Sequence, residues 1–222
     1  MATRPKTPGT RATSEPARPD AATPPRLAGR PVTGGYVVPP QWRADLEQVL
    51  IPAPQLRRRV GEIARALTRD YAGGDLLLVP LLTGTIIFLA DLLRCLNLPL
   101  RVDFLGVSSY RDGTVSRELI LTKELRLEAR DRHVLLVDDI LDTGRTLAWV
   151  TARLRTLRPR SLRTCVLLDK PARRVEPVQA DYVGFTIPDV FVVGYGLDFA
   201  ERYRNLPFVG VLRRELYAAA GR

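Results

Sequence analysis

Continuous apolar runs alternate with amphipathic segments along most of this chain. An apolar run without regular polar breaks is typical of a strand that is covered on both faces, as in a parallel sheet. We predict such strands at 76–82, 100–108, 133–137 and 162–168. Apolar residues that recur every three or four positions predict helices with one buried face at 55–71, 86–96 and 146–157. This alternation predicts an α/β fold in which helices flank a parallel sheet.

The first 35 residues lack this pattern. They are rich in proline, alanine, threonine and arginine, with a single leucine. Such a segment cannot bury enough apolar surface to offset its chain entropy, so we predict a disordered tail at 1–35 and a folded domain at 36–222. An arginine-rich transit peptide is the alternative, although the density of proline argues against an amphipathic helix there.

The charge and the cysteines narrow the functional classes. The net charge is +10, and a basic domain suits either nucleic acid or a polyphosphate substrate. Cys95 and Cys165 are far apart and form no C-x-x-C unit, so we expect a reducing cytoplasm. The single histidine, His133, argues against a zinc site built from histidine and cysteine. No apolar stretch reaches the roughly 18 residues of a membrane helix, and the first residues lack an apolar h-region, so we expect neither a membrane span nor a secretory signal.

Residues 134–146 carry the most informative chemistry. An apolar strand ends in Asp138 and Asp139, and Asp142 then precedes a small polar turn that opens a helix. Carboxylates suit sugar hydroxyls and a metal ion, whereas N–H groups at a helix start suit a phosphate. The turn consists of Thr143, Gly144, Arg145 and Thr146. The segment therefore predicts a binding site for a sugar phosphate. The alternative is an acidic strand end whose only role is to cap the helix.

This segment resembles the phosphoribosyl-pyrophosphate signature of the type I phosphoribosyltransferases. The resemblance continues at 168–171, 181–188 and 191–198, where the motifs look like those of the hypoxanthine (hypoxanthine-guanine) phosphoribosyltransferases. It covers the chain from about residue 36 to the end. It implies a type I phosphoribosyltransferase-like parallel sheet flanked by helices, with a small hood built from the chain ends. It also implies transfer of the 5-phosphoribosyl group from phosphoribosyl pyrophosphate to hypoxanthine or guanine, with Mg²⁺ as cofactor.

The resemblance implies roles for the acidic segment. Asp138 and Asp139 would hold the ribose hydroxyls beside a metal, and Asp142 would be the general base that takes a proton from the attacking purine. The 5-phosphate would be bound by Asp142, Thr143, Gly144, Arg145 and Thr146. The family usually has glutamate where Asp138 stands, so the shorter side chain is expected to make its contact through water or metal.

The purine would lie against Lys170, Phe191 and Val192. Lys170 has only donors and would therefore prefer a 6-oxopurine to adenine, while Phe191 would stack on the base and the Val192 backbone would read its edge. Taken alone, Lys170 could be a solvated strand-end lysine and Phe191 a core residue.

Pyrophosphate would be bound by Thr83, Gly84 and Arg204, with Asp198 as ligand of a second Mg²⁺. The family often has lysine or arginine where Thr83 stands, so one positive charge is missing here, and this loop commonly contains a non-proline cis peptide. Ser109 and Tyr110 lie in a segment that resembles the flexible loop closing over the reaction.

The resemblance also implies phosphoribosyl pyrophosphate and a 6-oxopurine as partners, a homodimer or homotetramer, and a cytoplasmic location, without a membrane or nucleic-acid partner. An RNA-binding regulator with this fold would suit the basic charge but would not need Asp142, Lys170 and Asp198. A relative that acts on xanthine or a pyrimidine is the other alternative.

Overall fold

The computed structural model describes residues 37–109 and 119–218. Its strands are β1 Leu46–Ile51, β2 Leu76–Leu82, β3 Leu100–Val102, β4 Leu105–Ser109, β5 Leu119–Lys123, β6 His133–Leu141, β7 Ser161–Asp169, β8 Tyr182–Thr186, β9 Val192–Val193 and β10 Val209–Leu212. Its α-helices are α1 Ala53–Asp70, α2 Ile86–Cys95, α3 Arg145–Thr156 and α4 Arg214–Ala218. The predicted tail at 1–35 and the connection that contains Tyr110 lie outside the described residues.

The main sheet has the strand order β5-β4-β2-β6-β7-β8, and β3 also pairs with β2. All pairs are parallel except β4 with β5. The predicted strands at 76–82, 133–137 and 162–168 are confirmed, and β6 continues to Leu141 because it stays paired with β7. The central residues of β2 and β6 are fully buried, as expected of strands covered on both faces.

The predicted strand at 100–108 is divided into β3 and β4. Asp103 stands at the break, and its carboxylate accepts hydrogen bonds from the backbone N–H groups of Phe104, Arg126 and Leu127. A buried carboxylate with these partners holds the chain away from the regular strand direction, which is why one apolar run forms two strands.

The helices cover both faces of this sheet. α1 and α2 pack on one face, where Leu78 and Leu135 point, and α3 packs on the other, against Leu77 and Leu136. The three predicted helices are confirmed to within a few residues. The result is the predicted layered arrangement, with each helix contributing one apolar face.

A second sheet, in the order β1-β10-β9, is built from both ends of the described chain. Its residues form a separate apolar cluster around Leu46, Val193 and Phe208. This sheet confirms the hood that the resemblance implied, although its strands were not individually predicted.

The remaining expectations concern the two cysteines and the possibility of a membrane-spanning helix. Cys95 and Cys165 are both free, as the sequence predicted. Among residues 37–109 and 119–218, no helix combines the length and the apolar character needed to cross a membrane.

Candidate active site

The carboxyl ends of β2 and β6 open into a cleft of about 350 Å³. Parallel strands end at the same edge of a sheet, so loops that are distant in sequence meet there. Ten residues predicted from separate motifs line this cleft: Thr83, Gly84, Asp138, Asp139, Asp142, Thr143, Gly144, Thr146, Asp198 and Arg204. The predicted sugar, 5-phosphate and pyrophosphate groups are therefore brought together in one place.

Asp138 and Asp139 form the acidic floor of the cleft. Desolvation between the strand ends, together with the negative charge of Asp139 beside it, raises the pKa of Asp138 well above the usual range of an aspartate. Desolvation also raises the pKa of Asp139. Two crowded carboxylates of this kind attract a cation, because positive charge relieves both the repulsion and the desolvation.

The Asp139 carboxylate lies directly against Gly84. A Cβ atom at position 84 would be 1.7 Å from Asp139 Oδ2, a separation that no side chain could tolerate. A Cβ atom at Gly196 would in turn be 2.1 Å from the Gly84 carbonyl oxygen. A side chain at position 84 would therefore displace the Asp139 carboxylate, whereas the close backbone approach and the φ of 103° require glycine at position 196.

The segment before Gly84 has the cis peptide that the resemblance implied, between Leu82 and Thr83. The Thr85 hydroxyl donates to the Leu81 carbonyl, which holds the turn at the start of α2. Thr83 itself lines the cleft without a positive charge, so on this side any anion is met by backbone and hydroxyl groups.

Asp198 and Arg204 meet at one wall of the cleft. Arg204 Nη2 lies 2.9 Å from Asp198 Oδ1, and Arg204 Nη1 donates to the Gly196 carbonyl at 2.9 Å. The predicted pyrophosphate contact and the predicted metal ligand are thus neighbours, and the arginine is held in place on two sides.

The opposite wall is the turn that begins α3. Gly144 is the residue before the helix, with φ of 87°, and a Cβ atom there would lie 2.8 Å from Val178 Cγ2. Gly144 provides no side-chain cap, and the Arg145 N–H makes only a long 3.5 Å contact to Thr143 Oγ1. The N–H groups of the first turn of α3 are therefore not closed off by a cap from Gly144. The Arg145 side chain is exposed and does not line the cleft.

Asp142 is the third carboxylate of the predicted acidic segment and also lines the cleft. Its Oδ1 atom is buried and has no hydrogen-bond partner among the described residues, although Arg173 Nε lies 3.2 Å away in an ion pair without hydrogen-bond geometry. Asp142 thus lines the cleft and carries one carboxylate oxygen that is ion-paired but accepts no hydrogen bond from the described residues.

The predicted purine residues lie outside the cleft lining. Lys170 is only 5% exposed, and burial lowers the pKa of its ammonium group against the attraction of Asp142 and Asp189. Its Nζ atom lies 3.7 Å from Asp189 Oδ1. The Phe191 ring stacks on Tyr217 with centroids 4.8 Å apart, and Val192 is buried in β9. These residues are therefore engaged with other parts of the chain.

Sequence reasoning missed the polar residues that surround Asp142 and Lys170. Arg173 contacts Asp142 and Asp189, and Arg174 contacts the Asp142 carbonyl and the Asp169 carboxylate. The available signal was the adjacent pair of arginines a few residues after a strand end.

Comparison with known proteins agrees with this geometry. The model of the phosphoribosyl transferase domain matches residues 50–200. The hypoxanthine-guanine phosphoribosyltransferase of Bacillus subtilis is 42% identical over 174 residues, which cover 78% of this chain and 97% of that protein. The hypoxanthine phosphoribosyltransferase of Salmonella typhimurium is 45% identical over 166 residues, 73% of this chain and 93% of that protein.

A longer relative and a solved structure complete the comparison. The bifunctional protein TilS/HprT of Listeria innocua is 45% identical over 175 residues, but this chain spans only 27% of its length. The crystal structure of a hypoxanthine phosphoribosyltransferase from Staphylococcus aureus superimposes with a TM-score of 0.76 at 42% identity, covering 80% of this chain and 97% of that one. The chain therefore belongs to the phosphoribosyltransferase domain family, in the branch of the hypoxanthine and hypoxanthine-guanine phosphoribosyltransferases.

Proposed function

We propose that this chain transfers the 5-phosphoribosyl group of phosphoribosyl pyrophosphate to hypoxanthine and to guanine, with release of pyrophosphate. Its family membership makes it an enzyme of purine salvage. The observation that carries the proposal is the single cleft in which ten residues predicted from separate motifs meet. The RNA-binding alternative is set aside because the curated relatives are phosphoribosyltransferases.

The sugar phosphate would be held by the acidic floor and the α3 turn. Asp138 and Asp139 face the ribose hydroxyls, and the N–H groups at the start of α3 receive the 5-phosphate with the hydroxyls of Thr143 and Thr146. The two carboxylates also stabilise positive charge that develops on the sugar as the bond to pyrophosphate breaks.

Asp142 would act as the general base. A purine nitrogen forms the new bond to the anomeric carbon while the bond from that carbon to pyrophosphate breaks, and the proton of that nitrogen passes to Asp142. The Oδ1 atom of Asp142 is suited to this step because no group within residues 37–109 and 119–218 donates a hydrogen bond to it.

The purine would be recognised by Lys170, Phe191 and Val192. The Lys170 ammonium donates to the exocyclic oxygen of a 6-oxopurine, whereas adenine presents an amino group there. Its burial strengthens this discrimination, since placing a donor of the base against a buried ammonium leaves that donor without an acceptor in a dry site.

The cleft also suits Mg²⁺. Among residues 37–109 and 119–218, no three acidic, histidine or cysteine side chains cluster closely enough to hold a metal by themselves. Mg²⁺ is usually bound by one or two carboxylates together with substrate phosphates and water, which is the donor set that Asp138, Asp139 and Asp198 would complete. The ion would neutralise the charge of the departing pyrophosphate, and Arg204 would contact its oxygens with Thr83 and Gly84.

We further propose a homodimer or homotetramer in the cytoplasm. Ile86 and Ile87 begin α2, directly after the Thr83–Thr85 turn, with 47% and 36% of their surfaces exposed. An apolar pair at this point is suited to burial by a second copy of the chain.

Within one chain, residues 36–222 would form the catalytic unit, and the tail at 1–35 would stay outside it.

The test is an assay of the full chain with phosphoribosyl pyrophosphate, Mg²⁺ and each of four bases. Hypoxanthine and guanine should give nucleotide and pyrophosphate, while adenine should give none. Xanthine is the discriminating case, since its ring also carries the 6-oxygen that Lys170 would bind. Turnover of adenine at the hypoxanthine rate, or no turnover of any 6-oxopurine, would contradict the proposal.

A further inference from the structure

The segment that follows Lys170 folds back over the turn that would bind the 5-phosphate. Three successive carbonyl groups, those of Leu141, Asp142 and Thr143, accept hydrogen bonds from residues 170–176, which we call the bracket. Lys170 N donates to Leu141 O at 2.9 Å, Arg174 Nη1 donates to Asp142 O, and Val175 N and Glu176 N donate to Thr143 O at 2.9 and 3.0 Å. Each carbonyl oxygen of residues 141–143 is therefore hydrogen-bonded to the bracket.

The orientation of these peptide units has a direct consequence for the cleft. In a planar trans peptide, the C=O of one residue and the N–H of the next point in opposite directions. Because the carbonyls of Asp142 and Thr143 face the bracket, the N–H groups of Thr143 and Gly144 point away from it. Both residues line the cleft, so the bracket determines where these two donors are aimed.

Arg174 is the one side chain in this set of bonds. Its two terminal nitrogens connect the Asp142 carbonyl at the end of β6 to the Asp169 carboxylate at the end of β7. The Arg174 side chain is 17% exposed and that of Asp169 is 20% exposed, so the pair is largely shielded from water. Its stem lies over Gly144, where a Cβ atom would be 3.2 Å from Arg174 Cδ. A planar guanidinium with two fixed acceptors has little freedom to rotate.

We propose that Arg174 is a positioning residue for the 5-phosphate site. It fixes the Asp142–Thr143 peptide plane from behind and so aims the Thr143 N–H at the phosphate. It also ties this turn to the strand end that carries Lys170, so the sugar-phosphate and purine sides share one support. The inference rests on the proposed function for the identity of the anion in the cleft.

The experiment compares Arg174→Gln with Arg59→Gln in the full chain. Arg59 is a matched control because its side chain is likewise largely shielded from water and donates to backbone carbonyls, those of Gly184 at 2.9 Å and Val183 at 2.8 Å, neither of which lines the cleft. Arg174→Gln should raise KM for phosphoribosyl pyrophosphate by about 10- to 100-fold, the range expected when the support of a contacting group is lost. Arg59→Gln should lower the melting temperature without changing that KM.

Asp169→Asn provides a graded version of the same test. It removes the charged partner of Arg174 but leaves the bond to the Asp142 carbonyl, so KM should rise in the same direction and by less. An unchanged KM in Arg174→Gln, together with a loss of melting temperature like that of Arg59→Gln, would overturn the proposal. If Arg174→Gln does not fold, Arg174→Lys is measured instead. A single ammonium group cannot reach both the Asp142 carbonyl and the Asp169 carboxylate. An unchanged KM in Arg174→Lys would therefore also overturn the proposal.

Titration calorimetry with ribose 5-phosphate alone separates this inference from the proposed function. The original chain should bind ribose 5-phosphate, and Arg174→Gln should bind it about 10- to 100-fold more weakly. Equal affinity in the two proteins would overturn the role of Arg174. An original chain that binds ribose 5-phosphate but converts no 6-oxopurine would contradict the proposed function alone.

Discussion

The two sides of the candidate site differ in how completely the chain prepares them. On the sugar-phosphate side, strand ends and tight turns form an open cleft, and its walls are positioned by backbone contacts. On the purine side, Lys170 is paired with Asp189 and the Phe191 ring is stacked on Tyr217. The first side is thus an open cleft, whereas the residues proposed for the second are engaged in contacts within the chain. We therefore expect changes on the sugar-phosphate side to affect catalysis and changes on the purine side to affect base affinity.

The largest expected effect is that of Asp142→Asn, which removes the proton acceptor and keeps the shape of the side chain. Turnover should fall by about 10²- to 10⁴-fold, the usual contribution of a general base, while KM for phosphoribosyl pyrophosphate changes little. Steady-state kinetics at saturating substrates measure this. Asp75→Asn is the control, because Asp75 precedes β2 at the opposite edge of the sheet and pairs with Arg101 and Arg132. Unchanged turnover in Asp142→Asn would refute the base role.

Gly84→Ala tests whether the sugar-phosphate side is rigid. The added methyl group would overlap the Asp139 carboxylate, so the carboxylate must move and kcat/KM should fall by about 10²-fold. Gly61→Ala is the matched control, since the nearest atom to its Cβ would be 3.7 Å away and alanine favours the α1 helix. If Gly84→Ala retained full kcat/KM, the cleft would be more adaptable than its close contacts indicate.

Lys170→Met should act on the purine side alone. It keeps the apolar stem and removes the donor to the 6-oxygen, and a hydrogen bond to a charged group is worth about 1.5–3 kcal/mol. KM for hypoxanthine should therefore rise by about 10- to 100-fold, while binding of ribose 5-phosphate measured by calorimetry stays constant. A parallel loss of ribose 5-phosphate binding would show that the two sides cannot be separated.

The smallest effect concerns His133, at the amino edge of the main sheet and away from the cleft. Burial, and then the positive charges of Arg160 and Arg163, lower the pKa of His133 in the folded chain. In the unfolded chain the histidine pKa is about 6.5, so on acidification the unfolded chain binds this proton at a higher pH than the folded chain does. The free energy of unfolding should therefore be constant above this pH and fall below it, by at most about 1.4 kcal/mol per pH unit, until the folded pKa is passed.

Urea unfolding across this range, compared between the original chain and His133→Gln, isolates the histidine. Titration of the carboxylates in the cleft is common to both proteins and cancels in the difference. His133→Gln should lose the acid-dependent part of the curve and keep the same turnover. Identical pH dependence in the two proteins would assign the effect to other groups.

The sequence predicted the sugar-phosphate side well because its signal is local. Strand β2 has the predicted bounds, and the segment Val134–Thr146 forms the strand, turn and helix start that its pattern indicated. Each of these features depends on neighbouring residues, such as an apolar run or a glycine at a turn with positive φ. The placement of Asp138 and Asp142 at one edge then follows from parallel strand order.

The rest depends on contacts between distant residues. The meeting of Asp198 with Arg204 requires a loop with four positive-φ residues that are not glycine, and no local rule predicts them: Tyr195, Ala200, Glu201 and Tyr203. The division of the strand at 100–108 likewise depends on Asp103 reaching Arg126 and Leu127, more than twenty residues away. The contacts of Lys170 with Asp189, and of Phe191 with Tyr217, also follow from the tertiary fold.

The bracket also limits how base specificity can diverge. Residues 170–176 follow Lys170 and support the Asp142–Thr143 turn at the same time, so their length and backbone path are constrained from both ends. An insertion or deletion there would displace the Thr143 and Gly144 N–H groups, the proposed phosphate donors, even when the change is directed at base recognition. New specificity on this scaffold is therefore more accessible to evolution, and to a protein designer, through single side-chain replacements at Lys170, Asp189 or Phe191 than through exchange of the whole loop.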